Sequence, residues 1–273
     1  MASNPAFGAQ LRAWRLARHL SQEGLAARAE ISARHLNFVE NGRANPSREV
    51  VLQLAAALDV PLRERNTLLT LAGFAAGYRS GSLDRDELAH LRRAVAHVLR
   101  QQEPYGAFVI NARWDVLDAN AGARRLMQQF PPSGEGGRAA AGNMLLSLLH
   151  PEGLRPYVVN WLEVASALMV RLQRDVAASP GDERSKLLAT ALAMPGVPAS
   201  WRAPSLGLAV APTLVVHLRN AQVDLQLFSM LTTIGTPLDV TADELLIETY
   251  FPADEATDRA LRALADGEPS AAG

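Results

Sequence analysis

Arg34, His35, Asn37, Asn41 and Arg43 crowd into one short stretch, ISARHLNFVENGRANPS, residues 31–47. A guanidinium offers a fork of donors, and a carboxamide sets a donor beside an acceptor. Groups of this kind suit a planar polar edge or a phosphate rather than bond-breaking. Either they coat a solvated helix, or something polar is read by them.

The rest of the chain lacks the groupings that carry covalent or metal chemistry. It has no HExxH, G-x-S-x-G, P-loop or G-x-G-x-x-G. The run Pro131-Pro132-Ser133-Gly134-Glu135-Gly136-Gly137 is glycine-rich but lacks the Lys and the following helix of a phosphate loop. His90 and His97 are seven positions apart with no partner between them. His150 or His217 would suit a haem, but no C-x-x-C-H marker accompanies them. The acidic residues form no pair of the catalytic kind. The absence of cysteine removes disulfides, thiolate metal sites and thiol switches. The expectation is a binding protein, not an enzyme, with no metal and no cofactor.

The elements that would position the polar cluster can be read from caps and periodicity. Ser3 or Asn4 caps a helix over 5–19 that opens on Pro5 and carries Phe7, Leu11 and Trp14. Ser21 caps a second over 22–29, and Ser32 caps a third over 33–41. The third turns Leu36 and Val39 inward and stops at Gly42, which supplies a left-handed C-terminal cap. Two more follow, over 48–58 after Ser47 and over 62–73 after Pro61. "GFAAGYRSGS" reads as a linker, and 84–102 as one amphipathic helix.

After that helix the period changes. Strands at 106–110 and 114–119 meet in a hairpin at Asn111-Ala112-Arg113. Helices are expected at 120–129, 151–178, 182–193 and 254–265, a flexible loop at 131–142, and strands at 213–220, 223–234 and 244–251. A frayed tail, "DGEPSAAG", closes the chain.

Hydrophobic residues make up 48% and charged ones 20%. That is the balance of a soluble globular protein rather than a disordered one. No apolar run approaches a membrane span, and Arg12, Arg15 and Arg18 argue against a signal peptide, so a cytoplasmic protein is expected. The net charge of −1 hides an asymmetry: residues 1–78 carry +3 and the remainder −4. A basic front beside an acidic rear suggests a division of labour.

"SQEGLAARAEISARHLNFVENGRANPS" resembles the phage-repressor-like, or XRE, helix-turn-helix family over about residues 5–75. The resemblance implies a recognition helix in the major groove of double-stranded DNA. It implies DNA contacts from Gln22, Ser32, Ala33, Arg34, Asn37, Phe38, Asn41, Arg43 and Ser47. Gln22 would meet phosphate. Arg34 would take guanine in two bonds, and Asn37 adenine or phosphate. Ala33 and Phe38 would touch thymine methyls, though Phe38 would equally pack on the turn. Asn41 and Arg43 would hold the backbone. Arg15 and Glu40 occupy positions that pair in phage repressors as a structural ion pair.

A longer likeness, carried by "RHLNFVENGRANPSREVVLQLAAALDVPLRERNTLLTLAGFAAGY", "NMLLSLLHPEG" and "WRAP", is to regulators with a C-terminal MmyB-like ligand-binding domain. The expected architecture is two domains. Residues 1–78 form an all-α five-helix bundle, 79–103 a linker helix, and 104–273 an α/β PAS-like unit with an antiparallel five-strand sheet and helices. The PAS likeness rests on "WDVLDANAGARRLM" and on the strand order. A cavity between sheet and helices is implied, walled by Phe108, Val109, Leu117, Leu145, Leu148, Tyr157, Trp161, Leu168, Leu225, Leu227 and Phe228. Plain core is the competing role for each. Arg113, Asn160, His217 and Arg219 would orient an acidic head.

The family implies a fatty acid or similar apolar metabolite as the small ligand, and a homodimer on an operator. Alternatively, the C-terminal half serves only dimerisation or protein-partner binding, without a metabolite.

Overall fold

A computed structural model of the chain describes residues 5–179, 181–203, 213–235 and 237–267. The expected cap at Ser3 or Asn4, Pro204 of the WRAP segment and the end of the expected frayed tail lie outside the described residues. In chain order the helices are α1 (Pro5–Ala17), α2 (Gln22–Arg28), α3 (Ala33–Glu40), α4 (Arg48–Ala57), α5 (Leu62–Leu71), α6 (Ala89–Gln101) and α7 (Ala121–Gln129). They continue as α8 (Gly134–Ala140), α9 (Met144–Leu149), α10 (Trp161–Ala178), α11 (Asp182–Leu192), α12 (Val240–Asp243) and α13 (Glu255–Asp266). The strands are β1 (Ala107–Ile110), β2 (Val116–Ala119), β3 (Val215–Arg219), β4 (Asp224–Thr233) and β5 (Leu246–Pro252).

The chain divides into two compact units. The first holds residues up to Ser82 together with two later segments, Arg174–Asp182 and Thr236–Asp243. Its core is Phe7, Leu11 and Trp14 from α1, Leu25 and Ala26 from α2, Leu36 and Val39 from α3, and Val51, Leu54, Leu68 and Leu69 from α4 and α5. These positions recur at helical spacing, so each short helix turns one apolar stripe inward. Ser21, Ser32 and Ser47 each accept a backbone N–H three residues on, as their sequence contexts predict. Gly8 lets α1 and α3 approach closely, since a Cβ there would lie 2.3 Å from the Glu40 carbonyl oxygen.

The expected linker is bonded to the bundle instead. Gly77 and Tyr78 donate their N–H groups to the Asn66 side chain, which donates in turn to the Tyr78 carbonyl. The 237–243 segment also packs here. Asp243 accepts from the Leu62 N–H at the start of α5, and Thr241 exchanges bonds with Gly81.

The second unit is built on one antiparallel sheet of order β2-β1-β5-β4-β3. The helix expected at 84–102 is a short 3₁₀ turn followed by α6. Val95 and Leu99 of α6 pack on Ala107, Val109, Leu245 and Ile247, so this helix covers one face of the sheet rather than standing free. On the other face, Phe108, Ile110 and Ala123 are buried among Val116, Met127, Met144, Leu246 and Tyr250. The loop expected at 131–142 contains α8, followed by a separate α9, and the helix expected from 151 starts at Trp161.

Candidate nucleic-acid interface and ligand face

In α3, Leu36, Val39 and Glu40 are buried, while Ser32, Ala33 and Arg34 are exposed and Asn37 and Phe38 half-buried. Asn41, Arg43 and Ser47, just beyond the helix, are exposed. The helix ends in a Schellman cap. Gly42 has φ of 68° and its N–H bonds the Val39 carbonyl, while the Arg43 N–H bonds the Phe38 carbonyl at 2.8 Å. Beyond that reversal Asn41 and Arg43 are exposed, and Asn41 is bonded back to Asn37 of α3.

The polar groups behind this face form a bonded chain. Arg15 meets Glu40 in a two-point pair, Nε to Oε1 at 2.7 Å and Nη2 to Oε2 at 2.9 Å, with the two side chains 9% and 2% exposed. The Arg15 guanidinium also donates to the Leu20 carbonyl. Its hydrogen bond to Glu40 holds its pKa above the ordinary value, against the opposing effect of burial. Gln22 donates to Glu40 Oε2 at 2.7 Å and accepts from Asn37 at 3.1 Å. Asn41 donates to the Asn37 carbonyl and side chain.

Gln22 and Asn37 are therefore oriented before any ligand arrives, and each amide retains acceptor or donor capacity. Arg34 lies over the Phe38 ring at 5.4 Å. The attraction of a cation to the ring face keeps its guanidinium on the outer side. The net assembles Arg15, Gln22, Asn37, Glu40 and Asn41. Ser32 and Ser47 serve as helix caps.

In the sheet unit, alternation separates the expected wall residues. Phe108 is on the face opposite α6 with Ile110, Leu246 and Tyr250, and its ring meets Tyr250 edge-on at 5.8 Å. Val109 points to the α6 face, as the neighbour of Phe108 must. Leu225 and Leu227 are buried, whereas Phe228 turns to the opposite face and stacks on Phe251 at 5.5 Å. Leu117 is 48% exposed. Leu145 and Leu148 are buried core of α9, and Leu168 is half-buried. Tyr157 packs on Phe130 and donates to the Pro131 carbonyl. Trp161 donates to the Leu148 carbonyl, carries Arg155 over its ring at 3.7 Å, and lines a separate surface cleft of about 480 Å³ with Pro151, Pro156, Pro195 and Gly196.

The four residues expected to orient an acidic head have other partners. Asn160 donates to the Val215 carbonyl and accepts from the His217 N–H, which fixes the start of α10 against the edge strand β3. His217 and Arg219 share the face of Phe228 and lie beside Asp224. Arg113 pairs with Asp115 and Glu183. The structure does not bring these four together on the Phe108 face.

What that face does carry is Glu248 and Tyr250. Register places Glu248 between Phe108 and Leu231, and Tyr250 beside Ser229. The signal was present in "LLIETYF": an acid alternating with Leu246 and Tyr250 along a strand of otherwise apolar neighbours.

A helical bundle with an outward polar helix, joined to a unit built on a PAS-like sheet, defines a two-part transcription regulator. Residues 91–264 match the MmyB-like transcription regulator ligand binding domain, and residues 6–68 match a helix-turn-helix domain. The chain belongs to the MmyB-like transcription regulators: a DNA-binding helix-turn-helix regulator with an MmyB-like ligand-binding domain. Among solved structures, one similar chain is the restriction-modification controller protein C.AhdI from Aeromonas hydrophila. It is 40% identical, covering 23% of this chain and 94% of that one, with a TM-score of 0.22. No curated protein matches. Among the described residues, no helix is long and apolar enough to cross a membrane, and no cluster of His, Cys, Asp or Glu could hold a metal ion.

Proposed function

We propose that the protein binds a pseudo-palindromic operator as a homodimer, and that a small molecule with a fatty-acid-like hydrocarbon chain, held on the Phe108 face of the sheet, changes its DNA affinity. The observation that carries the DNA part is the pre-bonded chain from Arg15 to Asn41 behind an exposed Arg34. Side chains already held in place lose less freedom on binding. The ligand part is supported by the apolar, incompletely buried surface of Met127, Met144, Leu246 and Tyr250 around Phe108. A ligand acts only through unequal affinity for DNA-competent and incompetent states.

An electrophoretic shift on DNA from the protein's own upstream region tests the reading. Retarded complex at low salt is expected. Arg34→Ala should weaken specific binding by roughly 1–3 kcal/mol while leaving non-specific binding nearly unchanged. No retarded species at low salt for either protein would overturn it. Native mass spectrometry of the purified chain tests the ligand part, with a lipid-sized adduct expected and a clean apo mass counting against it.

A further inference from the structure

Arg12, Arg15 and Arg18 recur at every third position along α1 and just past its end. Two of them are spent on the bundle. Arg15 pairs with Glu40, and Arg18 donates from Nε to the Leu58 carbonyl at 2.9 Å. Arg12 is exposed and makes no hydrogen bond or ion pair among the described residues. It does not stand on a flat exterior. With Ala9, Ala13 and Leu16 of α1, and with Glu40 and Asn41 at the end of α3, it lines a cleft of about 460 Å³. Gly8 sets that cleft, because it brings α1 onto the Val39 and Glu40 carbonyls. Arg12 follows Gly8 by four residues, one turn further along the same flank of the helix.

We propose that this cleft seats the sugar-phosphate backbone of the operator, with Arg12 as a phosphate contact that carries no sequence information. This rests on the proposed operator reading and adds to it a contact from α1, outside the recognition helix. A guanidinium presents a planar fork of donors that matches two phosphate oxygens. The wall of Ala9, Ala13 and Leu16, the last 55% exposed, suits the hydrocarbon edge of a deoxyribose and brings no charge of its own. Glu40 does bring a carboxylate to the lining. Both its oxygens are taken, by Arg15 and Gln22, and the Arg15 charge offsets it. An acidic peptide would also answer to a free guanidinium. DNA is the favoured occupant because Asn41, on the rim of this cleft, is bonded to Asn37 of α3, so cleft and reading face are continuous. Contacts of this kind fix the register of a protein on the duplex and leave the choice of sequence to other groups.

The test measures binding of the full chain across a salt series, on DNA from the protein's own upstream region and on an unrelated duplex of equal length. Arg12→Ala should weaken both by a similar factor and lower the slope of log K against log salt by about one per protomer. Arg12→Lys, which keeps the charge, should restore the slope. Ala9→Glu, at an exposed position of the same cleft, should weaken both duplexes as well. Circular dichroism and the thermal transition verify that the variants fold. An unchanged slope in folded Arg12→Ala, or full affinity in folded Ala9→Glu, overturns the cleft contact alone and leaves the rim to another partner. Failure of the unaltered protein to bind either duplex at low salt overturns the operator reading, and the cleft contact with it.

Discussion

The helical unit and the sheet unit handle polar groups in opposite ways. In the first, Arg15, Glu40, Gln22, Asn37 and Asn41 are bonded to one another and lead outward to an exposed face. In the second, strand register sets the half-buried Glu248 and Tyr250 on the mostly apolar face of Phe108, with an exposed Ser229 opposite Tyr250. A surface that reads a charged polymer needs its donors fixed and facing water. A pocket for a small molecule needs few polar groups, set among apolar ones. The contrast is thus between a bonded polar exterior and a mostly apolar sheet face, and it can be tested by removing one polar group of the exterior.

The largest effect is expected at Glu40. Glu40→Ala leaves the Arg15 guanidinium buried without its carboxylate and strips a bond from Gln22. Breaking a buried pair from one side costs about 3–5 kcal/mol. Hydrogen exchange of α1 and α3 amides in the full chain should show protection falling by that amount, while the α7 amides hold as an internal control. A loss below roughly 1 kcal/mol would make the pair an exposed one in effect and dissolve the contrast between the two units.

The difference also explains what could be read from the sequence. Ser21, Ser32, Gly42 and Ser47 act on residues three positions away, so such local caps mark α2, α3 and α4. The Arg15–Glu40 pair spans 25 residues and is legible only through the family pattern, not from spacing. In the sheet unit, Phe108 and Glu248 become neighbours by strand pairing across the domain. No local signal sets that register, and one residue of slip reverses the face. This is why the sequence suggests Phe228, His217 and Arg219 beside Phe108, while they lie on the other side. The glycines of 131–142 suggest a loop, but Gly137 lets α8 approach the chain at Glu152, where a Cβ would meet the carbonyl at 2.0 Å.

The second prediction tests whether the helical unit is itself purely local. The N-terminal position of α5 is Pro61, which offers no side-chain cap. Asp243, 181 positions from Leu62, accepts the Leu62 N–H at 3.1 Å. It thereby puts a carboxylate at the positive end of the helix. Asp243→Ala should lower the protection of the first turn of α5 by about 1 kcal/mol, in the range of a lost cap. Asp243→Asn should recover most of it, because an amide oxygen also accepts. Unchanged exchange in Asp243→Ala would mean that the bundle stands on its own residues, and the division between a local and a long-range unit would become sharper.

The smallest effect has the opposite sign. The turn between α2 and α3 places Glu30 at φ of 54°. There a side chain crowds the backbone, and glycine does not. Glu30 is exposed, and the turn closes through the Ile31 N–H bond to the Ala26 carbonyl at 3.0 Å, so its shape does not depend on the Glu30 side chain. Glu30→Gly removes the steric cost but gives the unfolded chain more freedom, and the two terms nearly offset. A net gain of about 0.5 kcal/mol is expected, read as slower exchange of α2 and α3 amides at unchanged DNA affinity. A loss of DNA affinity would instead show that the turn carries a contact of its own, and would extend the exterior reading surface beyond α3.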